Sequence, residues 1–185
     1  MVVVARAAAV EAAGAREAAV TGRAQPASHL AAYLGTNGNG CTLVGDDGTF
    51  LQGLAVAADW LLNDQADGVV VVGAEEMDWV VAEATQLFQR NAIYSAGAGA
   101  IFLKREKPAH LCAELGGITD SFMMTQNQDR AGAARKMREQ LPPVGTGELL
   151  VMSAPPNPRA AAAENAAWRD WSGHRLAPKT FLGEA

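Results

Sequence analysis

Two thiols, Cys41 and Cys112, three imidazoles, His29, His110 and His174, and an acidic pair, Asp46 and Asp47, are the side chains with the chemistry to build a site. Cys41 and Cys112 lack CxxC spacing, so neither a zinc site nor a disulfide framework is expected of them. Reduced, buried thiols are the simpler reading, and a cytoplasmic location goes with it. The histidines share no spacing suited to a triad or a ligand set. Asp46 and Asp47 would suit a hard cation, but no third acid follows at ligand spacing. Capping a helix accounts for them, because a carboxylate there accepts free backbone N–H groups at the positive dipole end. Gly35–Gly40 is rich in glycine, yet no Lys-Ser/Thr follows and Cys41 opens a strand. A turn is therefore expected, not a phosphate cradle. No metal or cofactor is expected.

The bulk composition narrows the field further. A net charge of −5 supplies no basic footprint for nucleic acid. The one cluster, Arg130, Arg135, Lys136 and Arg138, reads as the solvated face of a helix. No apolar run approaches the length of a membrane-spanning helix. Hydrophobic residues make up 49%, enough for a packed core.

The elements that would position these groups alternate between strand and helix. Residues 1–28 read as an Ala-rich extension that could be helical. Leu30–Leu34 reads as a short strand and Cys41–Val44 as another. Thr49–Leu62 has apolar residues at the helical period, and Gly53, Ala57 and Ala58 would let that helix approach a sheet closely. Val69–Val72 is a continuous β-branched run, expected to be a central strand buried on both faces. A helix over Glu75–Arg90 would carry Met77, Val80, Val81, Ala84, Leu87 and Phe88 on one stripe. Ala92–Arg105 holds two strand-like pieces around Gly97 and Gly99. His110–Leu115 reads as a strand, Gln126–Gln140 as a helix, Leu149–Met152 as a buried strand and Ala160–Trp171 as a helix. Trp60, Trp79, Trp168 and Trp171 are read as packing residues. The fold class is α/β with a largely parallel sheet. A change from one strand–helix set to a second is expected near Lys107-Pro108, giving segments 1–28, 29–106 and 107–185.

Three stretches together resemble the β-ketoacyl synthase branch of the thiolase-like superfamily. Leu51–Glu75, LQGLAVAADWLLNDQADGVVVVGAE, looks like the helix after that family's active-site cysteine and the following strand. Tyr94–Lys104, YSAGAGAIFLK, looks like its glycine-rich hairpin. Pro178–Glu184, PKTFLGE, looks like its lysine–histidine loop. The resemblance implies a thiolase-like layered α/β/α/β/α fold, incomplete at both ends, with 29–106 as the first half and 107–185 as part of the second.

At the reactive positions the chain departs from the family. Aligning Gly73 with the family's Gly-Gly places Asp47 where the nucleophilic cysteine belongs. A ketosynthase cysteine uses a helix N-terminus to favour thiolate and bind an oxyanion. An aspartate held there as a carboxylate takes no acyl group by thioester exchange. The first catalytic histidine would follow the Leu149–Met152 strand, but Ser153-Ala-Pro155-Pro stands there, with Pro155 at the position itself. Glu184 occupies the second histidine position, while Lys179 is retained; the two are read as an ion pair. Without the histidines an enolate has no stabiliser. The resemblance thus implies a non-catalytic subunit like a chain-length factor in fatty-acid or polyketide-type biosynthesis. It would form a homodimer, or a heterodimer with an active ketosynthase, through the Cys41–Val44 edge. Acyl carrier protein is a further candidate partner. The alternatives are an acyltransferase with Cys41 as an atypical nucleophile and a non-functional partial gene product.

Overall fold

The computed structural model describes residues 2–7, 26–36, 40–45, 48–76, 79–87, 94–107, 109, 113–120, 129–143, 147–153 and 158–183. Two compact units are present, residues 1–75 with 97–114 and residues 76–96 with 115–185. The chain therefore passes between units three times, where the sequence suggests one change near Lys107-Pro108. The elements of the first unit are β1 (Val2–Ala7), α1 (Pro26–Leu34), β2 (Gly40–Leu43), α2 (Thr49–Leu62), β3 (Gly68–Glu75) and, after an excursion, β4 (Gly97–Lys104). That excursion contains α3 (Trp79–Gln86) of the second unit, which continues with α4 (Arg130–Arg138), β5 (Leu149–Val151), α5 (Pro158–Ala167), β6 (His174–Leu176) and α6 (Lys179–Leu182).

The first unit is a four-stranded sheet in the order β2-β1-β3-β4, and every pair in it is antiparallel. This corrects the expected parallel sheet. Two strands bring this about: β1, which comes from the segment read as an extension and inserts between β2 and β3, and β4, which pairs antiparallel with β3. Val4 lies opposite both Cys41 and Val71. Because β2 and β3 each run against β1, they point the same way. The β2–α2–β3 crossover expected from the sequence is therefore kept, with one strand interposed. The two strand pieces expected around Gly97 and Gly99 are one continuous strand, since Gly97–Lys104 pairs along the whole of β3.

Helix α2 has the expected bounds and packs on β3 and β1. Its inward stripe is Thr49, Gly53, Leu54, Ala57 and Leu61, while Leu51 and Leu62 face solvent. The small residues set the distance: Ala57 is fully buried, and a Cβ added at Gly73 would lie 2.8 Å from the Phe50 ring. Gly73 shares a sheet face with Val69 and Val71, both fully buried, so α2 covers that face. Val70 and Val72, on the other face, are half-buried. Burial on both faces was expected; only one is closed. Arg105, just past β4, donates to the Leu61 carbonyl at 2.7 Å and pairs with Asp64, fastening the C-terminal end of α2.

Leu30–Leu34, expected as a strand, belongs to α1. Pro26 suits a first helical turn and Ala residues propagate it. Gly35 then ends the helix at φ +66°, with Thr36 N–H donating to Ala31 O at 2.9 Å and Gly35 N–H to Ala32 O at 3.3 Å. That is a Schellman closure, which glycine adopts without a Cβ clash.

In the second unit α4 packs against α5. The Asp129 carboxylate accepts from the Ala131 and Gly132 N–H groups, each at 3.1 Å, and starts α4. β5 and β6 pair in parallel, joined by α5, so the parallel geometry expected of the whole sheet occurs here. Of β5 only Leu150 is buried, not the whole strand. Of the apolar stripe expected on α3, Val80, Ala84 and Leu87 face solvent, as does Trp79, which is 72% exposed, while Met77 and Phe88 lie outside the described residues. Of the expected His110–Leu115 strand, 113–115 is irregular and the rest lies outside the described residues.

Candidate functional site

Cys41 sits in the middle of β2, half-buried, and burial pushes its thiol pKa up. A nucleophilic cysteine needs the opposite shift, given by a cation or a helix N-terminus. Asp46 and Asp47 lie outside the described residues, as do Pro155 and Glu184, so the expected cap, the altered histidine positions and the Lys179–Glu184 ion pair are not part of the observed geometry. Lys179 opens the short helix α6 and is half-buried. Cys41 belongs to the first unit and Lys179 to the second.

What is described around the expected nucleophile position is the turn's two ends. Gly48 holds the N-cap place of α2 with ordinary helical dihedrals and no side-chain cap bond. Thr49, the first helical residue, is buried, and its hydroxyl has no hydrogen-bond partner among the described residues; the same holds for the Thr42 hydroxyl on β2. A Cβ added at Gly45 would lie 2.5 Å from Thr49 Oγ1, so the strand leaves for the turn in direct contact with the helix start. The corner is tight.

The sequence does not announce a groove of about 790 Å³ between α4 and α5, lined by Arg135, Arg138, Leu141, Pro142, Trp168 and Arg169 among others. Its centre is Arg138, read from the sequence as part of a solvated face. The guanidinium stacks over Trp168 at 4.6 Å, donates to the Ala167 carbonyl at 3.1 Å and forms a two-pronged pair with Asp170. These hydrogen bonds hold the Asp170 carboxyl below the usual carboxylate range and raise the guanidinium's own pKa. Trp171 meets Trp168 edge-on at 5.7 Å, and Arg175 donates to the Trp168 carbonyl at 2.6 Å. Arg135 pairs with Asp129 at 3.5 Å. The two arginines at the groove's centre are thus already paired, which makes the cluster a clasp between helices and not a vacant anion site. The signal in the sequence was the pairing of Arg135–Arg138 with Trp168-Arg-Asp-Trp171, whose meeting depends on how the helices pack.

Among the described residues no group of three His, Cys, Asp or Glu side chains could hold a metal ion, and no helix is long and apolar enough to cross a membrane. Comparison with protein-family models, curated proteins and solved structures returns no match.

Proposed function

We propose that this chain is a non-catalytic, ketosynthase-like subunit of fatty-acid or polyketide-type biosynthesis, with a thiolase-like layered fold, pairing with an active ketosynthase as a chain-length factor does. The observation that carries the reading is the β2–α2–β3 unit. Strand, helix and second strand follow one another over Gly40–Glu75 in the order the resemblance calls for, and aligning Gly73 with the family's Gly-Gly assigns the nucleophile's position to Asp47. Cys41 is a poor substitute, since it lies inside a strand and its thiolate is disfavoured. Partner association is assigned to β2, whose outer edge has no hydrogen-bond partner among the described residues. An open apolar edge without proline or charge invites another strand. Acyl carrier protein is a further candidate partner, and the cytoplasm the expected compartment.

Two measurements test this. Incubation with malonyl- and acyl-thioesters of acyl carrier protein, read by intact mass, should leave the chain unmodified. A stable adduct that disappears in Cys41→Ser overturns the non-catalytic reading in favour of an acyltransferase. Co-expression with complete ketosynthases should yield a heterodimer that Leu43→Lys weakens without lowering the melting temperature. Failure to form any such complex counts against the partner role.

A further inference from the structure

The opposite edge of the sheet carries a different message. We infer that β4 pairs with β4 of a second copy of this chain, antiparallel, about a two-fold axis through Ala100. The inference stands independently of the ketosynthase-like reading and concerns another surface.

Four observations lead to it. β4 is an edge strand of eight residues, twice the length of β2. Its only hydrogen-bond partner among the described residues is β3. All its residues except Leu103 are exposed, including Ile101 at 41% and Phe102 at 57%. It contains no proline, and its one charge, Lys104, stands at the end, so the usual devices that blunt an edge are missing.

A further observation selects the occupant. The first half of β4, Gly97-Ala-Gly-Ala100, consists of the smallest residues, and the second half, Ile101-Phe-Leu103, is large and apolar. Two identical strands side by side and antiparallel are related by a two-fold perpendicular to the sheet, which keeps each face on its own side. Side chains alternate faces, so only registers that pair residues of the same parity are allowed. Centring on Ala100 satisfies this. Gly99 then lies opposite the second copy's Ile101, Ala98 opposite its Phe102 and Gly97 opposite its Leu103. Each large side chain is received by a small one, twice over. Within the chain, the Phe102 ring already lies against a glycine, since a Cβ at Gly68 would fall 2.8 Å from it. The second copy's Ala98 would cover the ring's open side.

Such an isologous contact closes after two copies, whereas β4 pairing with β2 of the next chain would propagate into a fibre. A strand pair of this length falls below the roughly 1,200 Å² typical of stable interfaces, so association in the micromolar range is expected.

Sedimentation of the full chain over a concentration series tests the inference. A monomer–dimer equilibrium is expected. Ala100→Glu and Ala100→Lys should each weaken it by roughly tenfold or more, because like charges then face each other across the axis. Mixing the two variants should restore the dimer, a result that only self-pairing at Ala100 produces. Ala100 is exposed, so melting should be unchanged; Phe102→Ser gives the same readout should either charged variant misfold. Leu43→Lys should leave this equilibrium alone. A strict monomer, a dimer indifferent to these changes, failure of the mixture to recover, or unlimited growth in size with concentration would each overturn the proposal.

Discussion

The two units of the chain are held together by different physics. The first closes on apolar surface: Val69, Val71, Ala57, Leu54 and Leu61 are buried, and α2 lies close to β3 over small side chains. Among the described residues of the second, the buried apolar ones are Ala131, Leu150 and Ala167, and the contact between α4 and α5 is accompanied by the cluster of Arg138, Trp168 and Asp170. Apolar burial is proportional to area and indifferent to pH and salt at moderate values. A clasp of exposed charges is directional, screened by salt and lost when a partner is protonated. The first unit should therefore resist conditions that loosen the second, and site-resolved hydrogen exchange can follow each separately.

The largest expected effect is Val71→Asp. An unpaired carboxylate in a fully buried position of β3 costs on the order of several kcal/mol, and exchange protection across β1, β3 and β4 should collapse. Parent-like protection would remove β3 from the core. Next comes Ala57→Leu, which overfills the α2–sheet contact and should cost about 1–3 kcal/mol by chemical denaturation. A neutral result would mean that α2 can lift away from β3. In the second unit, Asp129→Ala removes the α4 cap and should cost about 1 kcal/mol, read as faster exchange confined to α4.

The smallest effect sharpens the comparison most. Hydrogen bonds from Arg138 depress the Asp170 pKa in the folded state, so the clasp contributes above the unfolded carboxylate value and is lost as pH falls through the folded one. Acidification below the ordinary carboxylate range should loosen α4 and α5 ahead of the first unit. Asp170→Asn should remove that acid sensitivity, and added salt should mimic part of it. If both units loosen together with pH, the clasp is not what distinguishes them.

Local information carried some elements well. The bounds of α2 follow from its apolar period and the glycines before it, and β3 from its valine run, because each property lies within a single short segment. The placement of α4 and α5 follows likewise from periodicity and from Pro142-Pro143, although α4 begins later than expected, at the Asp129 cap, and α5 begins two residues earlier, at Pro158, and ends earlier, at Ala167.

What the sequence by itself determined is therefore the strand–helix alternation, the β2–α2–β3 unit and the mid-strand setting of Cys41. Only the tertiary structure decided that Val2–Ala7, whose three valines head an Ala-rich segment, would occupy the space between β2 and β3. That choice separated β2 from β3, two strands that point the same way, by a strand antiparallel to both. It also put β2 and β4, not β1, at the edges. Strand neighbours are chosen by hydrogen bonding between segments far apart in the chain, and periodicity within a segment holds no record of its partner. The same reason hid the Arg138 clasp. Arg138, read as solvated surface, Trp168, read as a packing residue, and Asp170 become one cluster only when α4 and α5 pack.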